Sequence, residues 1–66
     1  MKNYYATFGV DTPFCNRYVR IIAENEAFAR NKMFDRFGKK WAMFYDEESF
    51  LPQIERFGLS ELEVLG

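Results

Sequence analysis

The chain has 66 residues, a net charge of −1, one cysteine and no histidine. That length holds a single domain, residues 1–66. These counts exclude an internal disulfide, any histidine-based catalytic pairing, and a field strong enough to argue for nucleic acid.

A chain this short buries only about 60% of the surface its unfolded form exposes. Small domains at that limit lean on disulfides, metals, self-association or unusually large core residues. Here 20% of residues are aromatic, and each such side chain can bury about 150–250 Å². Aromatic bulk is therefore the expected substitute for staples. No apolar run approaches the roughly 20 residues of a membrane span. No basic region followed by an apolar stretch opens the chain, so no export signal is expected. With a lone cysteine, Cys15, the expected compartment is a reducing cytoplasm.

Lys2 to Val10 alternates with period two and is predicted as a strand. Tyr4, Ala6, Phe8 and Val10 share one face, with Tyr5 and Thr7 on the other. Asp11-Thr12-Pro13 supplies turn chemistry. Arg17 to Ala23 alternates again, with Val19, Ile21 and Ala23 opposed to Tyr18, Arg20 and Ile22. The two runs are predicted to form an antiparallel hairpin with a long loop. The period then changes. Asn25 is a suitable N-cap, Glu26 suits the positive end of the helix dipole, and Gly38 suits the left-handed C-terminal position. A helix is predicted over 26–37, with Ala27, Arg30, Phe34 and Phe37 as its stripe and Ala29 and Met33 beside them.

Trp41 to Tyr45 reads as a short strand and as the most buried one. A second helix follows and ends at Gly58. Pro52 limits its start: a cap at Ser49 places the proline in the first turn, whereas a cap at Asp46 places it deep in the helix. The Ser49 start is preferred, with Phe50, Ile54 and Phe57 inward. Glu61 to Leu65 is either a last strand, with Leu62 and Val64 on one side, or a loosely packed tail. The fold class is therefore α+β, a small ββαβα(β) domain. Its antiparallel or mixed sheet of three to four strands has the first strand in the middle and both helices on one face.

On that arrangement the other sheet face is open and carries Tyr5, Thr7, Tyr18, Arg20 and Ile22. The third strand adds either Trp41, Met43 and Tyr45 or Ala42 and Phe44, because a slip of one residue exchanges the two sets. Three readings of this face compete. It is core or a homodimer seam; or it is a surface for another protein, rich as interfaces are in Tyr, Trp, Met and Arg; or it is a base-stacking platform for single-stranded nucleic acid. The third is disfavoured because Arg30, Lys32, Arg36, Lys39 and Lys40 are not on it, and phosphate needs a contiguous basic track.

Catalytic chemistry finds little purchase. Cys15 beside Arg17 reads as an ordinary thiol. Asp46-Glu47-Glu48 reads as acids favouring a helix start in preference to a magnesium site, and no metal-ligand spacing exists, so no cofactor is expected. Gly38-Lys39-Lys40 follows a helix and lacks the upstream glycine of a phosphate loop.

Tyr4-Tyr5-Ala6-Thr7-Phe8-Gly9, Lys40-Trp41-Ala42-Met43-Phe44-Tyr45-Asp46-Glu47 and Gln53-Ile54-Glu55-Arg56-Phe57-Gly58-Leu59 together resemble a group of short bacteriophage and prophage hypothetical proteins. The W-A-[MF]-[MF]-Y-D-E segment is the most specific part, and Pro52 departs from the group's pattern. The resemblance implies a small protein made in an infected or lysogenic bacterium, and it transfers no activity. The expected function is a non-enzymatic phage accessory protein that binds or inhibits a host protein, such as a component of antiviral defence. Tyr5, Tyr18, Arg20, Trp41 and Tyr45 are the expected contact residues. A homodimer through the same face, and a single-stranded nucleic-acid binder using it, are the alternatives.

Overall fold

The computed structural model describes residues 1–9 and 11–66; Val10, assigned above to the first strand, lies outside the described residues. Strand β1 (Lys2–Phe8) pairs antiparallel with β2 (Arg17–Ala23), with Tyr4 opposite Ile21 and Ala6 opposite Val19. In the connection, the backbone N–H and the hydroxyl of Thr12 both donate to the Gly9 carbonyl, at 3.1 and 2.8 Å.

Helix α1 (Glu26–Phe37) starts where predicted, because the Asn25 side-chain oxygen accepts the Phe28 N–H at 3.1 Å. It ends at Gly38, whose φ of 63° and ψ of −125° match the first central position of a type II′ turn. The Lys40 N–H closes that turn on the Phe37 carbonyl at 3.2 Å. The buried stripe is rotated from the expected one. Ala29 and Met33 are fully buried and Phe37 is half-buried, while Ala27 and Phe34 are exposed. Phe34 leans instead toward the neighbouring strand, against Trp41.

Strand β3 (Trp41–Asp46) pairs antiparallel with β1, and β4 (Ser60–Leu65) pairs parallel with β2. The sheet order is β3-β1-β2-β4. With helix α2 (Glu47–Phe57) between β3 and β4, the chain is an α+β domain of order ββαβαβ. As expected, β1 lies in the middle, with β3 antiparallel to it. The last segment is a strand. A register shift leaves Leu62 without a partner on β2, so Leu62 and Leu65 pack toward the core while Val64 is exposed. The expected pairing of Leu62 with Val64 on one side is thereby corrected.

The expectation that both helices cover one face is also corrected. Strands β2, β3 and β4 run parallel to one another, since β1 is antiparallel to both β2 and β3. The β2–α1–β3 crossover moves across the sheet one way, and the β3–α2–β4 crossover moves back the other way. Parallel crossovers are right-handed, so opposite directions place their helices on opposite faces. The packing agrees. Ala29 and Met33 of α1 join Tyr4, Ala6, Phe8, Val19, Ile21 and Ala23 in one cluster. On the other face, α2 sends Phe50 down onto Tyr5, Tyr18 and Tyr45.

Two local expectations change as well. Helix α2 is capped by Asp46, whose Oδ1 accepts the Ser49 N–H at 2.8 Å, so the helix starts ahead of the preferred Ser49 and runs through Pro52. Proline removes the bond that its own nitrogen would make to the Glu48 carbonyl and crowds that carbonyl with its ring. The cap and the burial of Phe50 outweigh that loss. Strand β3, expected to be the most buried, contains no fully buried residue, because it is an edge strand with one neighbour.

Candidate functional site

The expected site residues divide between the two sheet faces. Tyr5, Tyr18, Arg20 and Tyr45 project from β1, β2 and β3 to the α2 side, with Tyr5 opposite both Arg20 and Tyr45. The Phe50 ring fills the space between the three phenols. Its centroid lies 4.8 Å from Tyr5, 5.3 Å from Tyr18 and 5.0 Å from Tyr45. Tyr5 is only 4% exposed, so this face is not an open platform. Arg20 lies at the margin with its Nε 3.7 Å from a Glu61 carboxylate oxygen.

The surroundings of Tyr5 and Tyr18 favour their neutral phenols. Burial raises the Tyr5 pKa above 10.0, and the adjacent Glu47 carboxylate, which accepts the phenol O–H at 3.4 Å, adds to the rise. Burial also raises Tyr18, reinforced by Glu61 and opposed by Arg20. The same Glu47 oxygen accepts Asn3 Nδ2 at 2.8 Å, which ties the start of α2 to β1.

Trp41 lies on the other face. The β1–β3 register shifts between Thr7 and Phe8: Met43 opposes Thr7, Trp41 opposes Phe8, and Ala42 is the extra residue. A bulge of this kind reverses the side-chain alternation. Trp41 and Phe44 therefore share the α1 face while Met43 and Tyr45 share the α2 face. Neither of the two sets expected from strict alternation occurs.

Besides the singly exposed Phe28 and Phe57, the latter expected to face inward, the partly exposed aromatics gather in a strip that sequence reasoning did not assemble. Phe34, Trp41 and Phe44 form a strip beside the free edge of β3, with centroids 5.2 Å and 5.9 Å apart. The strip continues inward to Tyr4, which stacks on Phe44 at 5.7 Å. The Arg30 guanidinium sits 4.6 Å above the Phe44 ring, an arrangement that attracts the cation to the ring face. Phe34 is 49% exposed, and Met43, on the opposite side of the same edge, is 55% exposed. Phe34 and Phe44 were legible as apolar positions. What placed them at a surface was the edge position of β3, which periodicity does not encode.

The remaining chemistry is sparse. Cys15 is exposed in the β1–β2 connection. Asp46, Glu47 and Glu48 line a hollow of about 540 Å³ with Met1, Asn3 and Glu26. Asp46 and Glu47 are engaged by the helix cap and by Asn3. Among the described residues no group of three or more acids and cysteines is placed to hold a metal ion. Among the described residues no helix is long and apolar enough to cross a membrane. In comparisons with known proteins, no family model, no curated protein and no solved structure matches the chain.

Proposed function

We propose that this chain is a non-enzymatic protein-binding module that works through the free edge of β3 and the aromatic strip beside it. One observation carries this reading. The edge strand Trp41–Asp46 holds an uninterrupted apolar run from Trp41 to Tyr45, with the exposed Phe34 of α1 beside it on one sheet face and its own Met43 exposed on the other. Unpaired edge strands present a row of backbone donors and acceptors ready to take another strand, and natural proteins usually blunt them with charge, proline or cover. Large exposed aromatic and methionine side chains are the groups that interfaces favour.

The resemblance of the W-A-[MF]-[MF]-Y-D-E segment to short phage and prophage proteins supports a phage accessory role, with a host protein as the partner. Stacking of nucleic-acid bases is the weaker reading. The Tyr5–Tyr18–Tyr45 face it would need is filled by Phe50.

The test is co-purification of tagged protein from host cells, comparing the wild type with Phe34→Ala and Met43→Lys. Both positions are exposed, so circular dichroism should show both variants folded. The reading expects a specific partner with the wild type that both variants lose. Equal recovery with all three proteins, or none with any, rejects it.

A further inference from the structure

Resting on that reading, we infer that the strand taken up by the β3 edge is the β3 of a second copy of this chain, running antiparallel across a twofold axis, so that a host protein would meet the dimer at the side chains flanking that seam and not at the edge itself. The two edges of the sheet differ in kind. The β4 edge is Ser60-Glu61-Leu62-Glu63-Val64-Leu65, with Glu61 beside Arg20 and Glu63 held by Arg36 through two bonds of 2.9 and 3.0 Å. Interleaved acids on an edge oppose its pairing with a like strand. The β3 edge has no charge from Trp41 through Tyr45 and no proline. One sheet edge is thus protected and the other is not.

The charges that bracket β3 identify the occupant. Lys39 and Lys40 precede the strand, and Asp46, Glu47 and Glu48 follow it. All five are exposed, and Lys39, Lys40 and Glu48 have no ion pair or side-chain hydrogen bond among the described residues. The segment therefore reads basic, apolar, acidic. Two copies laid antiparallel bring the lysines of each beside the acids of the other, whereas parallel copies place lysine beside lysine. Residues directly opposite one another share a sheet face, so the dyad must pass through a residue, either Met43 or Phe44. With the dyad at Phe44, Met43 faces Tyr45 of the second copy on the α2 side and Phe44 faces its own equivalent on the α1 side, and the lysines ahead of one β3 come to the end of the seam where α2 of the second copy begins with Glu47 and Glu48. A self-complementary patch of this kind makes a closed twofold dimer, with an eight-stranded sheet running through both copies.

Light scattering behind size exclusion tests this over micromolar to submillimolar concentrations. The wild type is expected as a dimer and Met43→Lys as a monomer. Lys39→Glu with Lys40→Glu, and separately Glu48→Lys, should each weaken the dimer, by about tenfold or more for the double substitution. Mixing those two variants should restore association, and the restored complex should weaken as salt rises. These charge substitutions lie at exposed positions, so they report on the seam even if Met43→Lys fails to fold. A wild type that stays monomeric at the highest concentration overturns the inference. The protein-binding reading would then still stand or fall on the Phe34 and Met43 co-purification. A dimer indifferent to all of these substitutions also overturns it, because its seam would lie elsewhere.

Discussion

The Phe50 ring lies over that of Tyr5 with 4.8 Å between centroids and 17° between planes, and Phe50 is fully buried. This contact anchors α2 to the sheet. It also decides that the tyrosine face is interior. Phe50→Ala should cost about 3–5 kcal/mol, the usual range for emptying a buried phenylalanine site. Domains of this size rarely hold more than about 3–5 kcal/mol in total, so the variant should be largely unfolded at room temperature. Phe50→Leu should retain the fold at reduced stability. Urea unfolding followed by far-UV circular dichroism measures both. A Phe50→Ala protein as stable as the wild type would mean that α2 is not held by this ring.

Asp46 and Pro52 act on α2 in opposite directions. The Ser49 backbone N–H, and to a lesser degree the Ser49 side chain, hold the Asp46 pKa below 3.8. A carboxyl whose folded pKa is depressed contributes stability above its unfolded pKa and loses it as pH falls through the folded value. The cap's charge contribution should therefore be complete at neutral pH and fade below about pH 3.8. Asp46→Asn should keep the cap and flatten that acid limb, whereas Asp46→Ala should destabilise at neutral pH. Pro52→Ala should stabilise the protein by about 1–3 kcal/mol, since it restores a donor to the Glu48 carbonyl and a better helix former to the interior. Denaturant midpoints at pH 7 and pH 3 check all three. A Pro52→Ala protein less stable than the wild type would contradict the continuous helix.

The phenols set the alkaline limit. Tyr5 and Tyr18 have pKa values raised above 10.0, chiefly by burial. A raised phenol pKa means that the fold prefers the neutral form. Stability is then fully present below the unfolded value and is lost as pH rises through the folded one. Ultraviolet titration near 295 nm should show Tyr5 and Tyr18 ionising late, together with unfolding above pH 10. Tyr5→Phe keeps the stack on Phe50 and removes the ionising group, so it should extend the alkaline range. An unchanged alkaline limit in that variant would mean that Tyr5 does not set it.

The first four elements were legible in the amino-acid sequence, while the start of α2 was placed too late and the last segment was left open between strand and tail. Alternation in Tyr4–Phe8 and Val19–Ala23, the Asn25 cap and the Gly38 and Gly58 stops are local signals, and they fall where local hydrogen bonding places them. What the local pattern could not carry was which face each helix covers. That depends on β4 lying beside β2 at the far side of the sheet from β3, a pairing between residues more than 40 positions apart. Once β4 is there, the handedness of crossovers sends α2 to the tyrosine face and buries it under Phe50. The extra residue at Ala42 was equally invisible, because a bulge is settled by how two strands meet and not by either strand alone. It turned Trp41 away from the expected cluster and onto the strip with Phe34 and Phe44. Composition and periodicity thus determined an aromatic-rich α+β domain, and only the tertiary pairing decided which of its aromatics are core and which reach the surface.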